Sequence, residues 1–384
     1  MEKFDVAIVI GIDHHNTLGI IRSLGLIENL NVVLLLISKN KFSYVSKSKY
    51  IEEFHIIENN ENVILNHILE ISKRYRKTFI FPLTDETAFL IDKNHKIFND
   101  NICFPHMYGK MKEYLNKATS KEYAKEAGLD IVYGSTFSLT DLENFDNLES
   151  YKFPLIIKPL VSKEGLKSDI SIVDNNYDLK ISLESFSQKK YKEVLVEEYI
   201  DSQDSYMLEV MGYSTEENVV ITGIVKKIRE YPIRNGSTSY AQLIDYCELL
   251  KIDAIKKYIK SSRYIGLFDI EFKYSGGTFY FIECNFRNGA PNYAVTKLNG
   301  INTPGNWILA MQNISVPTKK DIVNNRIFMI ENMDLLNLLK GNIPIMKWIN
   351  DVSSCNFIFF DSRDLIPNFW YCIEMLKIII HKFV

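Results

Sequence analysis

Three short apolar runs mark the first hundred residues: 4–10 (Phe-Asp-Val-Ala-Ile-Val-Ile), 31–37 (Asn-Val-Val-Leu-Leu-Leu-Ile) and 78–83 (Thr-Phe-Ile-Phe-Pro-Leu). The stretches between them repeat their apolar positions at helical spacing, and this alternation predicts a parallel sheet in a Rossmann-like unit over residues 1–106. Gly11, His14, His15, Asn16, Thr17 and Gly19 follow the first run, where open α/β sheets bind ligands. They do not spell Gly-x-Gly-x-x-Gly, so no dinucleotide site is assigned. Thr84 is expected to cap a helix, with Asp85 as a first-turn acid rather than a substrate contact and His14 and His15 as structural residues.

From about residue 107 the pattern changes. Tyr114 to Ala127 reads as a helix ended by Gly128, and Val132 to Phe137 as extended chain. Phe153-Pro-Leu-Ile-Ile-Lys158-Pro159 is an apolar strand ending in a lysine, and Ser162 to Ser168 is a polar loop. A lysine at the end of a buried strand is desolvated on one side and suits a polyphosphate. A helix over 177–189 precedes the strand Glu193-Val-Leu-Val-Glu197-Glu198-Tyr199-Ile200.

The stretch Asp269 to Arg287 carries the most chemistry. Its alternation predicts two strands joined by a three-residue loop, Ser275-Gly276-Gly277, in which glycine supplies positive φ. That register sets Glu271 opposite Phe281 and Glu283 diagonally across on the same face. Asn285 and Arg287 continue that face, since alternate residues share a side of a strand. Two carboxylates and an amide oxygen suit magnesium, and the Arg287 fork suits phosphate or carboxylate. A two-residue turn would send one glutamate to the opposite face. An exposed hairpin with solvated charges is the competing reading, and the apolar residues on both faces oppose it.

With 384 residues, 46% hydrophobic residues, 24% charged residues and a net charge of −3, the chain has room for two or three domains of ordinary globular type. No basic excess points to nucleic acid. Five cysteines without a Cys-x-x-Cys pair disfavour a disulfide framework or structural zinc and fit a cytoplasmic setting. The N-terminus has too short an apolar run for a signal peptide and reads as a buried strand. Lys226 to Ser239, with four basic residues and turn formers, is a candidate closing loop in which Arg229 and Arg234 bind an anionic substrate; an exposed hairpin edge is the alternative. Polar residues interrupt the last apolar run, so no transmembrane helix is expected. Trp370, Ile373, Leu376, Lys377 and Ile380 suit a core or homodimer face, or weak membrane association through 366–384.

The order Lys117, Lys158-Pro159, Val196-Glu197-Glu198-Tyr199-Ile200, Glu271, then Glu283-x-Asn285-x-Arg287 resembles the ATP-grasp superfamily of carboxylate ligases over roughly residues 1–312. Gly11 to Gly25 and Glu283 to Asn288 are similar to motifs of its D-aspartate ligase branch. The resemblance implies a mixed α/β and α+β fold: a Rossmann-like domain (1–106), a central ATP-grasp lobe (107–196), a C-terminal lobe with an antiparallel sheet and the metal site (197–312), and an extension (313–384). It implies ATP and Mg2+ as cofactors, with Mn2+ as a substitute. Lys117 and Lys158 would contact phosphates, Glu197, Glu198, Tyr199 and Ile200 the adenine, and Asp204 the ribose. Glu271, Glu283 and Asn285 would hold the metal, and Arg287 the acyl phosphate. The implied reaction joins a small-molecule carboxylate to an amine. The loop Ser162 to Ser168 has one glycine where many relatives have several. Carboxylation through carboxyphosphate and a non-catalytic ATP-binding protein are the other classes considered.

Overall fold

A computed structural model describes residues 4–383 except 41, 141–150, 161–168, 201–203, 234–235, 246 and 317–325; side chains of 376–383 lie outside the description. The Ser162 to Ser168 loop and Arg234 therefore fall outside the described residues.

The chain opens with strand β1 (Asp5–Gly11), helix α1 (His15–Leu24), β2 (Leu30–Ile37), β3 (Glu53–Ile57), α2 (Glu61–Ser72), β4 (Thr78–Pro82), α3 (Asp85–Lys93) and β5 (Ile102–Cys103). They form a wholly parallel sheet of order β3-β2-β1-β4-β5. The three apolar runs are β1, β2 and β4, within one residue of their expected ends, and every residue of β1 is buried. The edge strands β3 and β5 escaped sequence reading because β3 alternates polar and apolar residues and β5 has only two residues. Strand order reverses between β1 and β4, and the loops after both strands open toward the same crevice. Thr84 caps α3 as expected, accepting a hydrogen bond from the Thr87 N–H.

Next come α4 (Met111–Leu115), α5 (Lys117–Ala127), β6 (Asp130–Ile131), β7 (Gly134–Ser138), β8 (Leu155–Pro159), β9 (Ser171–Val173), α6 (Asn176–Gln188) and β10 (Glu193–Glu198). The helix expected over 114–127 is interrupted at Asn116, which is extended and caps α5 by accepting from the Ala118 and Thr119 N–H groups. Gly128 ends α5 at φ 102°. Strands β7-β10-β8-β9 make a small antiparallel sheet, and α6 buries Leu179, Leu183 and Phe186 against its apolar face.

The remaining elements are β11 (Tyr206–Ser214), β12 (Val219–Tyr231), β13 (Ser237–Ile244), α7 (Ile252–Ser261), β14 (Gly266–Ser275), β15 (Thr278–Asn285), α8 (Asn292–Asn299), α9 (Thr303–Met311), β16 (Ile327–Met329), α10 (Glu331–Leu339), α11 (Ile345–Ser354), β17 (Asn356–Phe357) and α12 (Ile366–Phe383). The large sheet runs β17-β16-β13-β12-β11-β14-β15-β6. The segment read as a closing loop, 226–239, is mostly β12 and β13, a long hairpin of that sheet. Strands β16 and β17, from the stretch set apart as an extension, continue the sheet beyond β13.

Two buried polar ties anchor α1, one toward the cleft and one to the C-terminal segment. Asn16 on α1 and Asn288 exchange hydrogen bonds, Asn16 Nδ2 donating to the Asn288 carbonyl (3.1 Å) and Asn288 Nδ2 to Asn16 Oδ1 (2.8 Å). Arg22, 1% exposed, donates to Asp364 Oδ2 (3.0 Å), to the Phe359 and Asp364 carbonyls and to Asn368. Trp370 and Tyr371 on α12 pack edgewise on Phe42, Tyr44 and Phe359, so this part of the helix faces the chain's own core. Leu376, Lys377 and Ile380 have undescribed side chains. Among the described residues no helix is long and apolar enough to cross a membrane.

Candidate active site

The β14–β15 turn has two residues, not three: Ser275 pairs with Thr278, and Gly276 (φ 54°) and Gly277 (φ 84°) supply the two positive φ angles of a tight hairpin. Such a turn alone would part the glutamates, but a bulge at Ile282 adds one residue to β15 and restores their common face. Phe272 pairs with Phe281, and Glu271 then pairs directly with Glu283, and Asp269 with Asn285. The expected convergence is present, by another register.

Strand β11 extends the row of acids. Glu209 pairs with Glu271 on its other side, so three carboxylates stand abreast on neighbouring strands. Like charges directly opposed are costly without a cation between them. Lys227 on β12 supplies one, donating to Glu209 Oε1 (2.8 Å) and Glu271 Oε2 (3.1 Å), and Lys117 Nζ lies 3.8 Å from Glu283 Oε2. Burial works against the Lys227 ammonium, yet Glu209 and Glu271 hold its pKa well above the lysine range. Asp269 is pushed well above the carboxylate range by burial and by the fields of Glu209 and Glu271. Burial, with Glu283 and Glu209 beside it, also raises Glu271 against the pull of Lys227. Glu209, Lys227 and Asp269 were not assigned from sequence. For Asp269 the signal was its place two residues before Glu271, and for Glu209 an acid within an apolar strand.

The opposite wall is cationic. Lys158 on β8 donates to Glu197 Oε2 (3.1 Å), and Lys121 on α5 donates to Glu197 Oε1. One carboxylate thus serves two ammonium groups. The Glu197 carboxyl is held below its usual range by Lys158 and Lys121 despite its burial, and burial pulls Lys121 down to about 8 against the attraction of Glu197. Lys117 begins α5, its N–H bonded to the Leu160 carbonyl (2.9 Å), and Lys121 lies one turn on, a spacing that reasoning from Lys117 alone missed.

Both walls border one cleft of about 990 Å³. Lys117, Lys158, Glu197, Glu198, Tyr199, Ile200, Glu271, Glu283, Asn285 and Arg287 all line it. The Glu197 side chain is taken by its lysines, and the Glu198 and Tyr199 N–H groups bond to the Tyr133 and Pro154 carbonyls (3.0 and 2.8 Å). Asp204 is exposed and not among the cleft-lining residues, its Oδ2 accepting from the Gly276 N–H (3.3 Å), while its neighbours Ser205 and Tyr206 line the cleft. Arg287 donates from Nε to Asp85 Oδ1 (2.7 Å) and from Nη2 to Asn285 Oδ1 (2.9 Å). Asp85 is thus both a first-turn acid and the residue that aims Arg287. His14 caps α1 and lines the cleft with Asn16.

Arg229 also lines the cleft, but its guanidinium donates from Nε and Nη2 to Asp334 (3.1 and 2.8 Å) and from Nη1 to Asp351, over the Tyr240 ring. These partners tie β12 to α10 and α11. Arg229→Met is expected to lower the thermal midpoint by several degrees while changing the KM for a carboxylate substrate less than twofold. A tenfold KM rise at unchanged midpoint would make it a substrate ligand instead.

Magnesium fits the donor set. The oxygens of Glu271, Glu283 and Asn285 are hard ligands, and Glu209 Oε2 and Asp269 Oδ1 are buried acceptors without a partner. Among the described residues no three Asp, Glu, His or Cys side chains stand close enough together to hold a metal ion by themselves.

These sheets and this cleft define an ATP-grasp fold. The structure is similar to N5-carboxyaminoimidazole synthetase from Staphylococcus aureus complexed with ADP, with a TM-score of 0.67, 17% identity, and coverage of 89% of this chain and 88% of that one. It is also similar to L-amino acid ligase from Bacillus licheniformis (TM-score 0.60, 16% identity, 81% and 75% coverage). In sequence the chain matches the carbamoyl phosphate synthase large chain of Clostridium acetobutylicum at 23% identity over 251 residues, covering 63% of this chain and 22% of that protein. The chain therefore spans about a fifth of that relative's length. No family model matches.

Proposed function

We propose that this chain is an ATP-dependent ligase that activates a carboxylate as an acyl phosphate and joins it to an amine. The carrying observation is the direct pairing of Glu271 with Glu283, with Asn285 on the same face, opposite a cationic wall. Lys117 and Lys158 would neutralise the nucleotide phosphates, and Glu271, Glu283 and Asn285 would hold Mg2+, or Mn2+ with its similar preference for oxygen. Magnesium would supply charge stabilisation for the phosphoryl oxygens. The segment Glu197 to Ile200 would meet the adenine through its carbonyls and side-chain stems, and Asp204 would lie toward the ribose.

In the first step a substrate carboxylate oxygen attacks the γ-phosphorus and ADP leaves. In the second the amine nitrogen, as the free base, attacks the acyl carbon, the amide bond forms, inorganic phosphate leaves with the electron pair of the broken C–O bond, and the proton that the nitrogen sheds goes with the phosphate. Arg287, held by Asp85, would steady the acyl phosphate and the tetrahedral species that follows. Positioning and electrostatics carry such transfers, and no nucleophilic side chain is required. An amino acid or cell-envelope precursor is the preferred substrate class, supported by the motif resemblance to the D-aspartate ligase branch and the likeness to an L-amino acid ligase.

The test is phosphate release from MgATP across a panel of amino acids, amines and bicarbonate. Release that requires both an acid and an amine supports the ligase. Release that requires bicarbonate alone turns the reading to carboxylation, and none under any condition leaves a nucleotide-binding protein.

A further inference from the structure

We infer that Lys121 is a positioning residue for the nucleotide: by holding the Glu197 carboxylate it cancels that charge and leaves the charge of Lys158 available to the phosphates. The inference rests on the nucleotide-binding part of the ligase reading, in which Lys158 meets the phosphates, and gives a role to a lysine that does not border the cleft.

The Glu197 side chain is 1% exposed, and its two oxygens are divided, Oε1 accepting from Lys121 and Oε2 from Lys158 (3.1 Å). Glu197 and Lys158 line the cleft, whereas Lys121 is not among the cleft-lining residues. The three come from different elements. Lys158 on β8 pairs with Leu195 on β10, two residues from Glu197, so the acid and its first lysine leave the small sheet on the same face. Lys121 reaches the same carboxylate from α5. Lys117, one turn earlier on that helix, borders the cleft itself, so α5 gives one lysine to the cleft and one to Glu197. The carboxylate stem is also seated against the sheet: Glu197 pairs with Gly134, where a Cβ would stand 2.6 Å from Glu197 Cγ, and the bare glycine leaves it room.

Charge decides what this trio offers a polyphosphate. Lys158 with Glu197 alone would be a neutral pair, whose attraction for an anion largely cancels. Two ammonium groups on one carboxylate leave one positive charge uncompensated. Since Lys121 is engaged with Glu197 and set back from the cleft, that charge is presented by Lys158. Burial pulls Lys121 down to about 8, which keeps its ammonium largely protonated at neutral pH. The second partner matters for a further reason. A buried carboxylate held by Lys158 alone would resist losing it, because an unpaired desolvated charge is costly, and the ammonium would stay with the protein instead of turning to the ligand. With Lys121 in place, Glu197 keeps a counter-charge whichever way Lys158 points.

The experiment measures binding of MgATP and of adenosine to the full chain by calorimetry. In Lys121→Met the Kd for MgATP is expected to rise at least tenfold and that for adenosine less than twofold, because adenosine has no phosphate for Lys158 to meet. Removing the carboxylate as well, in Lys121→Met with Glu197→Gln, restores the charge balance and should bring the MgATP Kd back to within threefold of the wild type. An unchanged MgATP Kd in Lys121→Met, an equal loss for both ligands, or a double variant that binds no tighter than the single one would overturn the inference and leave the ligase reading standing. A wild-type chain that binds no MgATP removes both. A structure of the wild-type chain with a non-hydrolysable MgATP analogue needs no folded variant: Lys158 Nζ is expected on a phosphate oxygen while Lys121 stays on Glu197. Lys121 Nζ bonded to the nucleotide, or Lys158 without a phosphate contact, would overturn the proposal.

Discussion

Glu283→Gln is expected to reduce ADP formation by about a thousandfold, because in the proposed metal site removing one of two opposed carboxylates would deprive the cation of negative charge where phosphoryl charge would develop. Metal stabilisation of that charge amounts to several kcal/mol, and about 4 kcal/mol corresponds to roughly three decades in rate. Glu271→Gln should act the same way, with one added consequence. Lys227 would lose one of its two carboxylates and lean on Glu209 alone. In both variants calorimetry should show MgATP binding weakened far more than binding of ATP with a chelator present. Activity within threefold of the wild type in either variant would remove these glutamates from the metal site.

The second large effect is on stability. Glu197→Leu leaves Lys121 and Lys158, 6% and 12% exposed at their side chains, without the carboxylate that both ammonium groups bond to. Removing one partner of a buried ion pair typically costs about 3–5 kcal/mol, since the remaining charge stays desolvated. A fall of that size in stability, read from the urea midpoint, is expected, and the double variant Glu197→Leu with Lys121→Met should recover part of it. A loss below about 1 kcal/mol would show that the two lysines find water or another partner, and that Glu197 does not organise the cationic wall.

The legible part of the site was whatever lies close together in sequence. Glu271, Glu283, Asn285 and Arg287 sit on two adjacent strands, so alternation alone sufficed to propose a common face. Even there the route differed, because a bulge at Ile282 leaves no simple mark in sequence, and only the paired strands show that Glu271 meets Glu283. The lysines were legible as types and not as partners: nothing near Glu197 in sequence announces Lys121, 76 positions earlier. Asp85 lies 202 positions from Arg287, and its first-turn place on α3 gave it an adequate local role that hid the second one. The segment 226–239, read as a closing loop with a hairpin edge as the alternative, is strand over most of its described residues, because the β-prone run before the turn formers carries the pairing of β12 with β13.

What the sequence by itself determined is the set of periodicities: runs buried on both faces that must pair in parallel, alternating strands near residue 280, and helices that begin at Thr84 and end at Gly128. These follow from local chemistry, since burial, capping and positive φ are settled within a few residues. What only the tertiary structure decided is which charges meet. Glu209, Lys227, Asp269 and Glu271 come from three strands, and their coupling depends on register across the sheet and on exclusion of water, neither of which a single strand encodes.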